Sequence, residues 1–399
     1  MELINNNILS GVRVLDLTRV MSGPFCTSML ADLGAEIIKI EMPETGDDSR
    51  FIGPFKNNES AYFMLLNRSK KSVTVDMKTK QGRALIDSLI PQCDVIIENF
   101  RPGVMSRLGL DEPSIRKLNS SIIYTSISGF GQNSPMKDWP AFDLIIQAMS
   151  GLMSLTGPKD GPETAAGESL ADVCSGMFAA FGTVAALFDR QRTGIGRHLD
   201  VAMLDSMFSI QLTGLARQLY MNDTPKPAGN RHPITYPVDT FPAKNGNFVM
   251  VCFSQKAFLA LCNLMNNKEL AVDPRFVTNH DRNQNEEELR KIITAWSLKL
   301  DQEQAIKLLL EAGVPAAPVW NLHQLVNSPY VKTRGLVVTG NHTTLGEIPL
   351  VPQPIKFSNI PEPSISSSPT LGQHTQEVLR DLVGLNNEDI EQLSRDKII

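Results

Sequence analysis

The first half of the chain alternates short β-branched and aliphatic runs with stretches of helical spacing, and this alternation limits what the chain can fold into more than any other feature. "GVRVLDLT" (11–18) reads as a strand, "RVMSGP" breaks it, "FCTSMLADLGA" has helical spacing, and "EIIKIE" (36–41) resumes a strand. A second cycle runs through "SVTVDM", a helix in "QGRALIDSLI", the strand "DVIIENF" (94–100), the loop "RPG" and a helix in "VMSRLGL". A further strand, "SIIYTSIS" (121–128), ends in "GFGQNSP". The pattern predicts an α/β fold with a mainly parallel sheet, right-handed crossovers and ligands at the carboxyl ends of its strands. Loops 18–24, 99–103 and 128–135 lie at that edge.

The texture changes further on. Met177, Phe181, Val184 and Phe188 recur at spacings of four, three and four, which predicts a helix turning that face to a core. Residues 222–244 carry six prolines and glycines (Pro225, Pro227, Gly229, Pro233, Pro237, Pro242), which predicts a long irregular connection between domains. Residues 245 to 325 then hold a strand, "NFVMVCF", and several amphipathic helices, as a smaller second domain would. A Pro- and Ser-rich stretch precedes the closing helix "HTQEVLRDLVG".

Composition removes several function classes. A net charge of -5 with 20% charged residues supplies no basic field for nucleic acid or an anionic membrane. The longest apolar stretch, Met177 to Phe188, is too short to span a bilayer, and the start shows neither a signal nor a transit pattern. A cytoplasmic protein is expected, with the mitochondrial matrix left open. Five scattered cysteines without a CxxC pair fit a reducing compartment, and six single histidines mark no metal site.

Glu41 ends the second strand where a ribose-binding acid would stand, but the preceding turn offers only Gly23 and not G-x-G-x-x-G, so Glu41 reads as an exposed strand-end residue. The basic cluster in "NRSKKS" (67–72), with Lys78, Arg101 and Arg107, is either a solvated face or a grip for phosphate. Cys174 has no histidine marked as its base and reads as a small buried residue. In "GESLADVCSGMFAAFG" (167–182) Asp172 stands where a loop becomes a helix. A carboxylate there ordinarily caps the helix, and the same N–H donors would keep it ionised at neutral pH. Small neighbours, Ala171, Ser175 and Gly176, would leave room for a substrate beside it. Asp200 and Asp205 read as structural.

Taken in order, "GVRVLDLTRVMSGPFCTSMLADLGAEIIKIE", "NRSKKSVTVDMKT", "DVIIENFRPGVMSRLGL", "ADVCSGM", "RTGIGRHLDVAMLD", "GNRHP", "DPRF", "AGVPAAPV" and "LGQHTQEVL" resemble the class III CoA-transferase family over almost the whole chain. The resemblance implies a large Rossmann-like CoA-binding domain beginning with residues 1–205, a linker at 206–230, a small α+β domain at 231–328, and a linker and return to the large domain at 329–399. It also implies an interlocked, ring-shaped homodimer. Asp172 is implied as the nucleophile that attacks an acyl-CoA thioester, forming an aspartyl anhydride and then an aspartyl-CoA thioester. The implied CoA contacts are Met21, Ser22, Val75, Lys78, Asn99, Phe100, Arg101, Arg107 and Lys137. CoA is then a substrate, with no permanently bound cofactor, and the partner is a small carboxylic acid.

The same superfamily includes the α-methylacyl-CoA racemases, whose two-base site has a histidine beside an aspartate. Here Phe142 stands in that place, next to Asp143, and phenylalanine cannot move a proton. The reading is therefore transferase, with 2-methylacyl-CoA racemase as the alternative. Met21 and Met42 replace a glutamine and a basic residue of the formyl-CoA branch, and "HPITYPVDTF" replaces a glycine-rich loop, which points away from formyl-CoA with oxalate. Succinyl-CoA is the donor the family suggests. His232 reads equally as part of an acceptor pocket or as a structural histidine.

Overall fold

The computed structural model describes residues 7–360 and 365–399. The chain forms two compact units, one drawn from residues up to Leu152, Ala166–Leu215 and Lys332–Ile399, the other from Met153–Ala165 and Ala216–Val331. In the first unit six strands form one sheet: β1 (Arg13–Asp16), β2 (Glu36–Glu41), β3 (Lys70–Thr74), β4 (Val95–Glu98), β5 (Ile123–Ser128) and β6 (His198–Ala202). All neighbours pair in parallel, in the order β3-β2-β1-β4-β5-β6. This is the strand order of the Rossmann fold, and the chain reverses its direction of winding between β1 and β4.

Both faces of the sheet are covered, which is why its strands read as continuous aliphatic runs. Val14, Ile37, Val95 and Ile123 point into one core with helix α1 (Ser22–Asp32). Leu15, Ile38, Ile96 and Tyr124 point into the other, which is filled by α3 (Lys80–Leu89), α5 (Glu112–Leu118) and the C-terminal residues Val378, Leu379 and Ile390. Short helices α2 (Ala61–Leu66), α4 (Val104–Arg107) and α6 (Asp143–Met149) lie between these elements in the chain. α1 begins at Ser22, earlier than the break at "RVMSGP" predicts. Pro24 sits in its first turn, where a missing N–H removes no intrahelical bond. Gly23 is needed there, because a Cβ would lie 2.3 Å from the Cβ of Thr18.

The longest helix, α7 (Leu170–Thr193), packs on α1 and the sheet, but not through the face predicted. Its buried residues are small: Ala171, Cys174, Ser175, Gly176, Ala179, Ala180, Thr183 and Ala186, with Leu187. Met177, Phe181 and Phe188 are exposed, Phe181 by 74%. Periodicity identified residues sharing a face, but close contact with α1, where a Cβ at Gly176 would lie 2.7 Å from the Ser22 carbonyl oxygen, admitted the small face instead. At 24 residues α7 is also long and apolar enough by composition to cross a membrane, which the reading from Met177 to Phe188 alone missed, and half of its most apolar window is buried in the protein. α8 (Met203–Ser209) and α9 (Leu212–Met221) follow it.

The second unit has its own core, built on an antiparallel sheet of β7 (Val238–Ala243), β8 (Gly246–Val251) and β9 (Ala316–Pro318) in the order β9-β8-β7. Helices α10 (Gln255–Leu264), α11 (Glu286–Ser297) and α12 (Gln302–Glu311) contribute to that core. The proline-rich segment 222–244 is therefore not wholly irregular. Its residues Val238–Ala243 form β7, and Pro242 is accommodated because β7 is an edge strand.

Candidate active site

A hollow of about 200 Å³ opens where β1 and β4 end, at the reversal of strand order. Its wall comes from the β1–α1 turn (Arg19, Val20, Met21, Ser22), the loop after β4 (Asn99, Phe100, Arg101, Pro102), the end of β5, the segment leading to α6 (Lys137, Trp139, Phe142), Met203 and Asp172. Asn99 ties the two principal loops together. Its amide oxygen accepts from the Arg19 N–H at 2.9 Å, and its amide nitrogen donates to the Arg19 carbonyl at 2.8 Å and the Ser22 hydroxyl at 3.2 Å.

The β1–α1 turn is held from beneath. Val20 adopts φ 66°, a left-handed conformation that a β-branched residue rarely takes, and its N–H donates to Asp47 at 3.0 Å. Asp47 is buried against Lys39 at 2.8 Å, and Lys39 also donates to the Thr18 carbonyl at 2.8 Å. The chain is thus bent so that Met21 and Ser22 meet the hollow. After β4, the buried carboxylate of Glu98 accepts from the Phe100 N–H at 2.9 Å, and burial pushes its pKa up to about 7.

Asp172 occupies the third position of α7 but does not cap it. The capping acceptor is Asp143, at the start of α6, whose Oδ1 takes the N–H groups of Ala171 at 2.7 Å and Asp172 at 3.4 Å. Nor does the helix start hold Asp172 ionised. Burial, and then the charge of Asp143, push its pKa up to about 7, while the hydroxyl and main-chain N–H of Ser22 pull it down. Tyr62 on α2, half-buried, feels the same carboxylates: burial first, then Asp172, Asp47 and Asp143, push its hydroxyl up to about 12. No sequence signal marked Tyr62, and Asp143 entered only as the neighbour of Phe142 in the comparison with the racemases, not as a cap for α7.

Of the residues expected at a CoA site, Met21, Ser22, Asn99, Phe100, Arg101, Lys137 and Asp172 line this one hollow. Val75, Lys78 and Arg107 do not. Val75 is buried in the core, Lys78 is exposed in the turn before α3, and Arg107 is exposed at the end of α4. Arg19 and Asp48 join the lining unpredicted, with Arg19 3.2 Å from Asp48 and its guanidinium 5.7 Å from the Phe100 ring centre. Arg101 and Lys137 form no ion pair among the described residues and are free to meet an anion.

Several expectations are overturned. The basic cluster at 67–72 is not a phosphate grip: Arg68 is buried against Asp32, Lys70 against Asp16 at 3.2 Å, and Lys71 lies between Glu36 and Glu377. Glu41 is buried rather than exposed, taking Arg50 on both oxygens and the Ser72 hydroxyl. Ala171, Ser175 and Gly176 do not make room for a substrate but are buried in the packing of α7. Cys174, by contrast, is a small buried residue as expected, and burial raises its pKa. His232, in the second unit, donates its N–H to the Val238 carbonyl at 2.9 Å and stacks edge-on near Phe253.

The arrangement suits a ligand with an anionic portion for Arg19, Arg101 and Lys137, an apolar portion for Phe100, Trp139 and Phe142, and an electrophilic carbon beside Asp172. Comparison with known proteins agrees. Residues 9–375 match the pattern of "CoA-transferase family III". The chain is 40% identical over 354 residues, 88% of its length and 90% of the relative's, to an acetyl-CoA:oxalate CoA-transferase of Acetobacter aceti. It is 38% identical over 386 residues, 96% of its length and 88% of the relative's, to a succinyl-CoA:glutarate CoA-transferase of Mus musculus. Its fold matches the crystal structure of a CAIB/BAIF family protein from Brucella suis with a TM-score of 0.85 at 34% identity, covering 94% of this chain and 100% of that one. With a Rossmann-order sheet, a hollow at its switch point and this kinship along nearly the whole chain, the protein belongs to CoA-transferase family III and is a CoA-transferase.

Proposed function

We propose that the protein moves CoA from succinyl-CoA or a similar short acyl-CoA to a small dicarboxylic acid, with Asp172 as the nucleophile. The observation that carries this reading is the Asp172 carboxylate on the wall of the hollow, relieved of capping by Asp143. The carboxylate attacks the thioester carbonyl carbon, the C–S bond breaks, and CoA leaves as thiolate with the bonding electrons. The thiolate attacks the Asp172 side of the resulting anhydride and expels the donor acid as carboxylate. The acceptor carboxylate then attacks the aspartyl-CoA thioester, and the freed thiolate takes the acceptor's acyl carbon and releases Asp172. Every nucleophile and every leaving group is an anion, so no proton is transferred, and covalent catalysis divides one difficult exchange into easier ones. Phe142, which lines the hollow beside Asp143, has no proton to move, and this favours transfer over racemisation.

Arg19, Arg101 and Lys137 are the candidates for the CoA phosphates, and the names of the relatives suggest glutarate and oxalate as the first acceptors to try. We further propose a cytoplasmic, interlocked homodimer. Five free, buried cysteines suit a reducing compartment, and the exposed apolar side of α7 suits a partner surface. The direct test of the chemistry is intact-mass spectrometry after mixing with succinyl-CoA, together with acyl-CoA product analysis against a panel of carboxylic acids. A covalent adduct is expected, and Asp172→Ala should abolish both adduct and turnover. An Asp172→Ala enzyme that still transfers CoA would sink the mechanism.

A further inference from the structure

α7 carries its candidate nucleophile at the third helical position, where a carboxylate would normally be drawn to the helix's own free N–H groups. Ser169, which precedes the helix, makes no side-chain cap. The acceptor comes from another helix: Asp143 Oδ1 takes the N–H groups of Ala171 and Asp172, and its Oδ2 accepts from the Gln147 amide at 2.6 Å. Gln147, one turn along α6 and 1% exposed, also donates to the Glu168 carbonyl at 3.1 Å and accepts from the Ala166 N–H at 2.9 Å. Both ends of its amide therefore bind the segment that leads into α7.

We infer that Asp143, held by Gln147, is a positioning residue that caps the helix in place of Asp172 and so keeps the Asp172 carboxylate free to attack the thioester. The inference rests on the reading of Asp172 as nucleophile. Asp143 has a second effect on the same group, since its charge opposes ionisation of Asp172 and makes the ionised form a stronger base. The other groups facing Asp172 are Ser22 on α1 and Tyr62 on α2, with Arg19, Asp48, Arg101 and Lys137 lining the same hollow.

The test compares Asp143→Asn, which keeps an acceptor for the helix but loses the charge, with Asp143→Ala, which loses both. Activity is followed from pH 5 to 9 and fold by thermal melting. In Asp143→Asn the acid limb of kcat/KM for acyl-CoA should move down by about one pH unit, with the melt little changed. In Asp143→Ala the rate of adduct formation should fall at least about tenfold while KM for acyl-CoA holds. A purely structural role would lower melting temperatures and leave the acid limb in place. If Asp172→Asn is inactive while Asp143→Ala forms the adduct at the wild-type rate, the inference alone is wrong, and an Asp143→Asn enzyme that keeps the original limb removes the charge effect. If Asp172→Asn still turns over, the nucleophile reading falls and takes the inference with it.

Discussion

As the proposed nucleophile Asp172 meets two opposing demands: it would have to be ionised to attack, yet burial and the neighbouring Asp143 both resist its ionisation. With its pKa pushed up to about 7, the reactive form is lost below neutrality, so kcat/KM should fall by about tenfold per pH unit on the acid side of that value. A pH–rate profile with succinyl-CoA checks this. The same shift affects stability. Because the folded-state pKa lies above the ordinary carboxylate value, the folded protein holds this proton more tightly than the unfolded chain. The resulting contribution is full at low pH and is lost as pH rises through about 7. Asp172→Asn should therefore stabilise the unliganded protein more at pH 8 than at pH 5, by on the order of 1–2 kcal/mol after allowance for solvent screening. Equal melting shifts at the two pH values would contradict it.

Between elements, the contact of α1 with α7 decides where the site's two halves meet. At Gly176 a Cβ would lie 2.7 Å from the Ser22 carbonyl oxygen and 3.0 Å from the Phe25 ring, so only hydrogen fits between the helices. Ser22 is also the residue whose hydroxyl and N–H face Asp172. Gly176→Ala should therefore push the helices apart, costing about 1–3 kcal/mol, and should lower turnover more than it raises KM. Denaturant midpoints and steady-state kinetics measure the two effects, and an alanine variant with wild-type values in both would show that the contact yields without cost.

On the scale of the whole molecule, α7 presents Met177, Phe178, Phe181 and Phe188 outward. If the proposed homodimer covers this face, sedimentation of the native protein gives twice the mass of one chain, and Phe181→Asp, at a position 74% exposed, reduces it to one. A dimer that survives the change would remove this face from the interface.

Much of the architecture was legible in the sequence because a parallel sheet buried on both faces requires long aliphatic runs. "VRVLDL" and "EIIKIE" could hardly be anything but neighbouring strands, and the loops at their carboxyl ends were legible as the candidate site. The ordered motifs singled out Asp172. What the local sequence could not contain was partnership across distance. Asp16 lies 54 residues from Lys70, and Asp32 lies 36 residues from Arg68, so a basic cluster that looked like a phosphate grip proved to be buried ion pairs. Helical spacing showed which residues of α7 share a face, but which face turned inward depended on the space beside α1. Asp143, 28 residues before Ala171, took over the cap that Asp172 seemed to provide. Sequence by itself determined the elements and their order, because those follow from local periodicity and burial. Only the tertiary structure decided the protonation and freedom of Asp172, because these depend on charges, donors and desolvation that folding brings from α1, α2 and α6.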